Sequence, residues 1–264
     1  MHDAVDRYLD TGEGRVFVRA WAPGAASDDA LAPIVLFHDS LGCVELWREF
    51  PRLLCDASGR RVIAYDRPGF GRSDPHPGKL TNDFIADEAK TTFERVHEVL
   101  ELDRFIAFGH SVGGGMAVAC AAAHAQRCEG VVTESAQAFV EDRTLQGILA
   151  AKEDFARPGR IDRLRRYHGD KADWVLHAWI DTWLSPGFAA WTLDDELRRV
   201  RCRLLAMHGD RDEFGSMRHP ERIVALCGAA ADIERLDDCG HVPHREHPDR
   251  VLARVRPWLD PNLP

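Results

Sequence analysis

Gly109-His110-Ser111-Val112-Gly113 sets a hydroxyl between two glycines, directly after the apolar run Phe105-Ile106-Ala107-Phe108 and before the small-residue stretch Gly114 to Ala119. A strand, a tight turn and a helix in that order hold a serine in a strained conformation. Neighbouring backbone then comes so close that neither flank has room for a Cβ. Ser111 Oγ is thereby presented at a helix N-terminus, where the dipole favours developing negative charge and the Val112 N–H is free to donate to an oxyanion. A glycine-rich turn with an incidental serine is the plain alternative, and the flanking strand and helix patterns weigh against it.

A serine hydroxyl is a weak nucleophile at neutral pH, so it needs a general base, and the base needs an acid to orient it. The C-terminal third supplies both. The run Leu204 to Met207 leads into His208-Gly209-Asp210-Arg211-Asp212-Glu213, and the short strand Ile233-Glu234-Arg235-Leu236 leads into Asp237-Asp238-Cys239-Gly240-His241. Asp210 and Asp212 both qualify as the acid on geometric grounds, and His244 and His247 compete with His241 as the base. Read together, His208, Asp210, Asp212, His241, His244 and His247 also have the donor types of a zinc site. A triad accounts for the key members without a metal, so no metal and no cofactor are expected.

These groups need a scaffold that brings loops 100 residues apart to one edge. Short β-rich apolar runs recur at Ile34 to Phe37, Val62 to Tyr65, Phe105 to Phe108, Val131-Val132 and Leu204 to Met207, as buried parallel strands would. A helical period joins Asp83 to Leu100, with Ile85, Ala89, Phe93, Val96 and Leu100 on one face behind a Thr81-Asn82-Asp83 start signal. Arg15 to Trp21 alternates instead, as an antiparallel edge strand does. Strand and helix alternate as βαβ units under a sheet covered on both faces. The rhythm stops after Val132 and resumes near Cys202, which marks an inserted helical cap over 135–199 between core segments 1–134 and 200–264. Within it Val175, Trp179 and Trp183 share one helical stripe, with Leu176, Ile180 and Leu184 beside it. Pro23 to Asp29 reads as a surface loop.

At this point the chain resembles the α/β-hydrolase superfamily from about residue 6 onwards, apart from the cap. The matching motifs are His38-Asp39-Ser40-Leu41-Gly42 after the third strand, Asp66-Arg67-Pro68-Gly69-Phe70-Gly71-Arg72-Ser73 after the fourth, the serine turn, the His-Gly-Asp-x-Asp loop and the late Gly-His. The resemblance implies an α/β fold with a mostly parallel sheet flanked by helices. It also implies the chain order serine, acid, histidine, favouring Ser111, Asp212 and His241 as the catalytic set. Its oxyanion hole would use the backbone N–H of Val112 and of Ser40. Asp39 departs from the common His-Gly start of that loop; an outward carboxylate holding the loop by backbone hydrogen bonds is expected.

Around this core His38, His110, Glu134, Trp179 and Trp183 are candidates to touch substrate. Glu134 ends a strand at the carboxyl edge of the sheet, where ligands bind, though a hinge or capping role fits equally. Trp174, Trp179, Trp183 and Trp191 are of a type more often buried as core, yet a cap must leave an apolar wall over the nucleophile. The glycines and arginines of Asp66 to Ser73 suggest phosphate binding, but no helix opens behind them, so a turn is favoured.

Composition narrows the partner. With 264 residues, 45% hydrophobic side chains and a formal net charge of −9, the chain has a full core and no long basic run to neutralise phosphates. That argues against nucleic acid and anionic membranes. No stretch approaches the ~18 apolar residues of a membrane span, and Met1 to Asp6 lacks the order of a signal peptide. Seven cysteines without CxxC spacing suggest neither a disulfide framework nor a zinc ribbon. A cytoplasmic serine hydrolase, monomeric or homodimeric, acting on a small carboxylic ester or lactone is the reading these features favour. Carbon–carbon bond hydrolysis of ring-cleavage diketones is the nearest alternative that the resemblance implies. A ligand-binding receptor that has lost turnover is the alternative from another class.

Overall fold

The computed structural model describes residues 4–12, 14–24 and 31–260. The Pro23 to Asp29 loop and the Met1 to Asp6 start therefore fall partly outside the described residues. Eight strands form one sheet in the order β1-β2-β4-β3-β5-β6-β7-β8. They are β1 (Val5–Asp10), β2 (Arg15–Trp21), β3 (Ile34–Phe37), β4 (Val62–Tyr65), β5 (Phe105–His110), β6 (Cys128–Glu134), β7 (Arg203–Gly209) and β8 (Ala231–Leu236). Strands β1 and β2 run antiparallel, and all pairings from β4 to β8 are parallel.

The continuous apolar runs bury both faces because successive side chains point to opposite sides. Val35, Phe37, Ile63, Tyr65, Phe105 and Ala107 enter one core. Ile34, Leu36, Val62, Ala64, Ile106 and Phe108 enter the other. Eleven helices accompany the sheet among the described residues: α1 (Phe50–Ser58), α2 (Phe84–Asp87), α3 (Thr92–Val99), α4 (Val112–Ala123), α5 (Asp142–Phe155), α6 (Asp162–His168), α7 (Ala172–Trp183), α8 (Asp194–Arg199), α9 (Arg218–Leu226), α10 (Pro243–Glu246) and α11 (Pro248–Leu259). Helices α1 and α11 supply Phe50, Leu54, Val251, Val255 and Trp258 to the second core. No helix among the described residues is long and apolar enough to cross a membrane.

Three features differ from the sequence reading. Strand β2 is not an edge: β1 pairs with it from outside, in register from Val5 with Ala20 to Asp10 with Arg15. The weak alternation of Val-Asp-Arg-Tyr-Leu-Asp hides β1, and charge helps to hold it. Asp6 accepts from Arg19 Nε at 2.6 Å and from Arg72 Nη1 at 2.8 Å. The expected helix from Asp83 to Leu100 is broken into α2, a 3-10 turn at Glu88–Lys90, and α3. The Thr91 hydroxyl donates to the Asp87 carbonyl at 2.8 Å in competition with the helix ladder. Glu88 is drawn inward to the Tyr65 hydroxyl at 2.5 Å. Finally, α8, which falls within the expected cap segment 135–199, packs on α4 and α9.

Glu88 gives a pH-dependent expectation. Burial raises its pKa above the ordinary glutamate value, against the opposing pull of Arg67 and the Tyr65 hydroxyl. A raised carboxyl stabilises the fold fully below its unfolded pKa and loses that contribution as pH climbs through the folded value. Glu88→Gln, which keeps an acceptor for Tyr65, should therefore raise Tm at pH 8. The expected rise is about 2–4 °C, what about 1 kcal/mol produces in a domain of this size. The gap should close by pH 4 in thermal melts; a gap that widens on acidification would contradict the assignment.

Candidate active site

Strand β5 ends at His110, and the chain turns at Ser111 with φ 56° and ψ −126° before entering α4. The conformation is fixed by the Ser111 N–H donating to the Glu134 carbonyl at 2.8 Å and the Gly114 N–H donating to the Ser111 carbonyl at 2.8 Å. The glycines answer to close approach. A Cβ on Gly109 would lie 2.0 Å from the Gly113 oxygen, and one on Gly113 would lie 2.1 Å from the Phe37 oxygen. Val112 opens α4, so its N–H has no acceptor within the helix.

The two C-terminal loops separate the competing candidates. His241 Nδ1 lies 2.9 and 2.8 Å from the two Asp212 carboxylate oxygens. Asp212 is buried and also accepts from the Phe214 N–H at 2.7 Å. Burial opposes its charge, but His241, His208 and the Phe214 amide outweigh that and hold its pKa below the ordinary aspartate value. Asp210 turns away to Arg235 at 3.2 Å. His244 Nδ1 pairs with Glu134 at 2.7 Å, and His247 faces the Asp238 carbonyl at 3.1 Å. These histidines and aspartates are thus split among separate partners.

Ser111 and His241 line one cavity of about 150 Å³ together with Asp39, Ser40, Leu41, His110, Gln137, Thr144, Ile148, Trp179, Trp183, Phe214 and Val242. Of the residues expected from sequence to touch substrate, His110, Trp179 and Trp183 lie here. His38 and Glu134 do not. His38 is buried against Arg67, whose backbone N–H donates to its Nε2 at 3.2 Å, while its Nδ1 donates to the Asp39 carbonyl at 2.8 Å. Burial and the Arg67 guanidinium keep that ring neutral. Glu134 is spent on His244. Both side chains are buried outside the cavity, His38 against Arg67 and one oxygen of Glu134 against His244. A larger cavity of about 220 Å³ opens elsewhere, under residues 67–81, and holds neither Ser111 nor His241.

The segment between β6 and β7 buttresses the loops as well as roofing them. From α5, Arg143 donates to the Asp212 carbonyl at 3.1 Å and the Thr144 hydroxyl to the Phe214 carbonyl at 2.6 Å. At the end of α6, His168 accepts from the Gly71 N–H at 2.9 Å and donates to the Leu41 carbonyl at 3.0 Å. It thereby joins the loop after β4 to the loop that carries Ser40. The glycine-rich stretch after β4 is a turn organised by Asp66, whose carboxylate accepts from Val44 N–H at 2.6 Å and Arg72 N–H at 2.7 Å.

Gln137 was missed from sequence. It is buried, three residues past β6, and the Ser111 hydroxyl donates to its Oε1 at 3.4 Å. A contact of that length is weak and readily surrendered to substrate. The only available signal was its distance from a strand end, which does not tell an amide in a site from one in a loop. Asp39 also differs from expectation. One carboxylate oxygen does hold the loop, accepting from Leu41 N–H at 2.8 Å, but the other faces inward to His110 at 3.3 Å.

Residues 32–171 match the family model described as the alpha/beta hydrolase fold. Over 249 residues the chain is 25% identical to 2-hydroxymuconate semialdehyde hydrolase of Pseudomonas sp. (strain CF600), covering 86% of each chain. It is 30% identical over 118 residues to proline iminopeptidase of Lactobacillus delbrueckii subsp. bulgaricus, which spans 45% of this chain and 39% of that one. Among solved structures, carboxylesterase CesB (YbfK) from Bacillus subtilis superimposes with a TM-score of 0.71 at 20% identity, covering 97% of this chain and 92% of that one, a likeness of fold.

Proposed function

The chain belongs to the alpha/beta hydrolase fold family, and from that premise we propose that it is a serine hydrolase cleaving a small, uncharged carboxylic ester or lactone through an acyl-enzyme on Ser111. The observation that carries this reading is a strained serine at a helix N-terminus and a histidine held by a buried aspartate, with the serine and the histidine lining one cavity. With Nδ1 on Asp212, His241 presents Nε2 as the base that takes the Ser111 proton as Oγ attacks the carbonyl carbon. The amides of Val112 and Ser40 receive the oxyanion, and His241 returns the proton to the leaving alkoxide. Water then attacks the acyl-enzyme by the same relay.

Cavity size and lining set the substrate class. The cavity is small, with a volume near 150 Å³. Ile148, Trp179, Trp183, Phe214 and Val242 make its wall apolar, and no lysine or arginine lines it. Hydrolysis of p-nitrophenyl acetate and butyrate should therefore exceed that of the octanoate by about tenfold or more in kcat/KM, since excess methylenes have no apolar space to enter. Activity of Ser111→Ala equal to that of the unaltered protein, or an inert protein with all three esters, would end the ester reading.

Carbon–carbon bond hydrolysis is the second reading, favoured by the relative that spans 86% of both chains. Its substrate, 2-hydroxymuconate semialdehyde, carries a carboxylate, for which a cavity without a lysine or arginine in its lining offers no unpaired counter-charge. Loss of that compound's absorbance on incubation with the protein, without ester turnover, would decide for it.

A further inference from the structure

Both ring nitrogens of His110 face acceptors. Nδ1 lies 3.3 Å from Asp39 Oδ2, and Nε2 lies 2.8 Å from the His241 carbonyl oxygen. A carboxylate and a carbonyl have no hydrogen to give, and a neutral imidazole can donate from one nitrogen only. The neutral ring would leave one contact as lone pair against lone pair in a buried place; the imidazolium satisfies both. Asp39 is fixed for its share by the Leu41 N–H at 2.8 Å.

We propose that Asp39 and His110 form an ion pair that acts as a positioning strut, in which protonated His110 ties the oxyanion loop to the backbone of the catalytic histidine and cancels the Asp39 charge beside the oxyanion. The kinetic consequence rests on the acyl-transfer reading; the protonation does not. Asp39 lines the cavity with Ser40 and Ser111, so an uncompensated carboxylate there would oppose the negative charge that the Val112 and Ser40 amides stabilise. The strut also joins three places far apart in sequence, the loop after β3, the end of β5 and the loop after β8, and so couples hole, nucleophile and base in one geometry.

The groups facing His110 are Asp39 from the loop after β3, Glu134 from the end of β6, His241 from the loop after β8 and His244 from α10. Burial works against its charge, but Asp39, then Glu134 and the His241 carbonyl, raise its pKa above the ordinary histidine value. Burial likewise opposes the Asp39 charge, and His110 reverses that, holding the carboxyl well below the ordinary aspartate range.

The test uses the whole protein labelled with ¹⁵N-histidine. At pH 8 one imidazole, identified by its disappearance in His110→Gln, should show both nitrogens protonated. In Asp39→Asn the new amide donates to a neutral Nδ1 while Nε2–H keeps the His241 carbonyl, so the same ring should become neutral, an assignment that stands even if His110→Gln does not fold. A neutral His110 in the unaltered protein at pH 8 overturns the proposal. Kinetically, the unaltered protein should lose about tenfold in kcat/KM across an alkaline limb, mostly in kcat, and Asp39→Asn should lack that limb. An identical limb in both proteins also overturns it. If no ester is hydrolysed at all, the nuclear magnetic resonance result still decides the strut, and the failure belongs to the functional reading.

Discussion

Ser111→Ala and His241→Ala should each lower kcat/KM for p-nitrophenyl acetate by about 10⁴-fold or more, and the double variant should be little worse than either alone. In the proposed mechanism nucleophile and base act as one unit: without the base the hydroxyl is a poor nucleophile, and without the hydroxyl the base has no proton to take. Asp212→Asn should fall in the same range, about 10⁴-fold, by presenting His241 in the wrong tautomer, because an amide N–H in place of the carboxylate that now lies 2.8 Å from Nδ1 reverses the direction of that bond. Asp210→Asn should change activity little, since that carboxylate lies at Arg235, 3.2 Å away, and not at the base. Steady-state kinetics on the four single variants and the double separates these outcomes. Multiplicative losses in the double variant, or an Asp210 effect as large as that of Asp212, would contradict the assigned roles.

The largest effect on stability is expected at the serine turn. Gly113→Ala puts a methyl group 2.1 Å from the Phe37 oxygen and 2.7 Å from the His38 oxygen. These atoms belong to the backbone of β3 and the oxyanion loop, which cannot rotate aside as a side chain can. Overpacking in a filled core costs roughly 1–3 kcal/mol and more where backbone is displaced. A loss of about 3 kcal/mol, or a Tm lower by about 6–12 °C, is expected for a domain of this size. Gly78→Ala is the control, with no atom within 4 Å of the new methyl group. It should stay within about 0.5 kcal/mol of the unaltered protein. Urea titration of the pair reads the difference directly. A Gly113→Ala midpoint equal to the control's would show that β3 can yield and that the close approach is not a constraint.

Gly109 and Gly113 also show why the serine turn is legible in the sequence. Strand, turn and helix are adjacent in sequence there, and each rule that shapes them acts within a few residues: apolar run, small flanking residues, small-residue helix. The same holds for the buried strands, whose apolar runs β3 to β7 follow closely, and for the two C-terminal loops that carry an acid and a histidine. Where a pattern was diluted, reading failed locally. Strand β1 has three charged residues in six positions and so carries no clear alternation, which leaves β2 as the edge that the sequence presents. The periodic stripe from Ile85 to Leu100 was real, yet a Thr91 hydroxyl bond and the inward pull on Glu88 broke the helix that the stripe seemed to require.

What the chain order determined by itself was the fold class, the serine turn and a short set of candidate acids and bases. What only tertiary structure decided was which of those side chains meet. Asp212 rather than Asp210 reaches His241 across 29 residues, Glu134 is claimed by His244 across 110, and His110 meets the His241 carbonyl across 131. Periodicity and turn chemistry are local properties of a chain, whereas a buried polar atom takes whichever partner packing delivers, because leaving it unpaired costs more than any local preference can return.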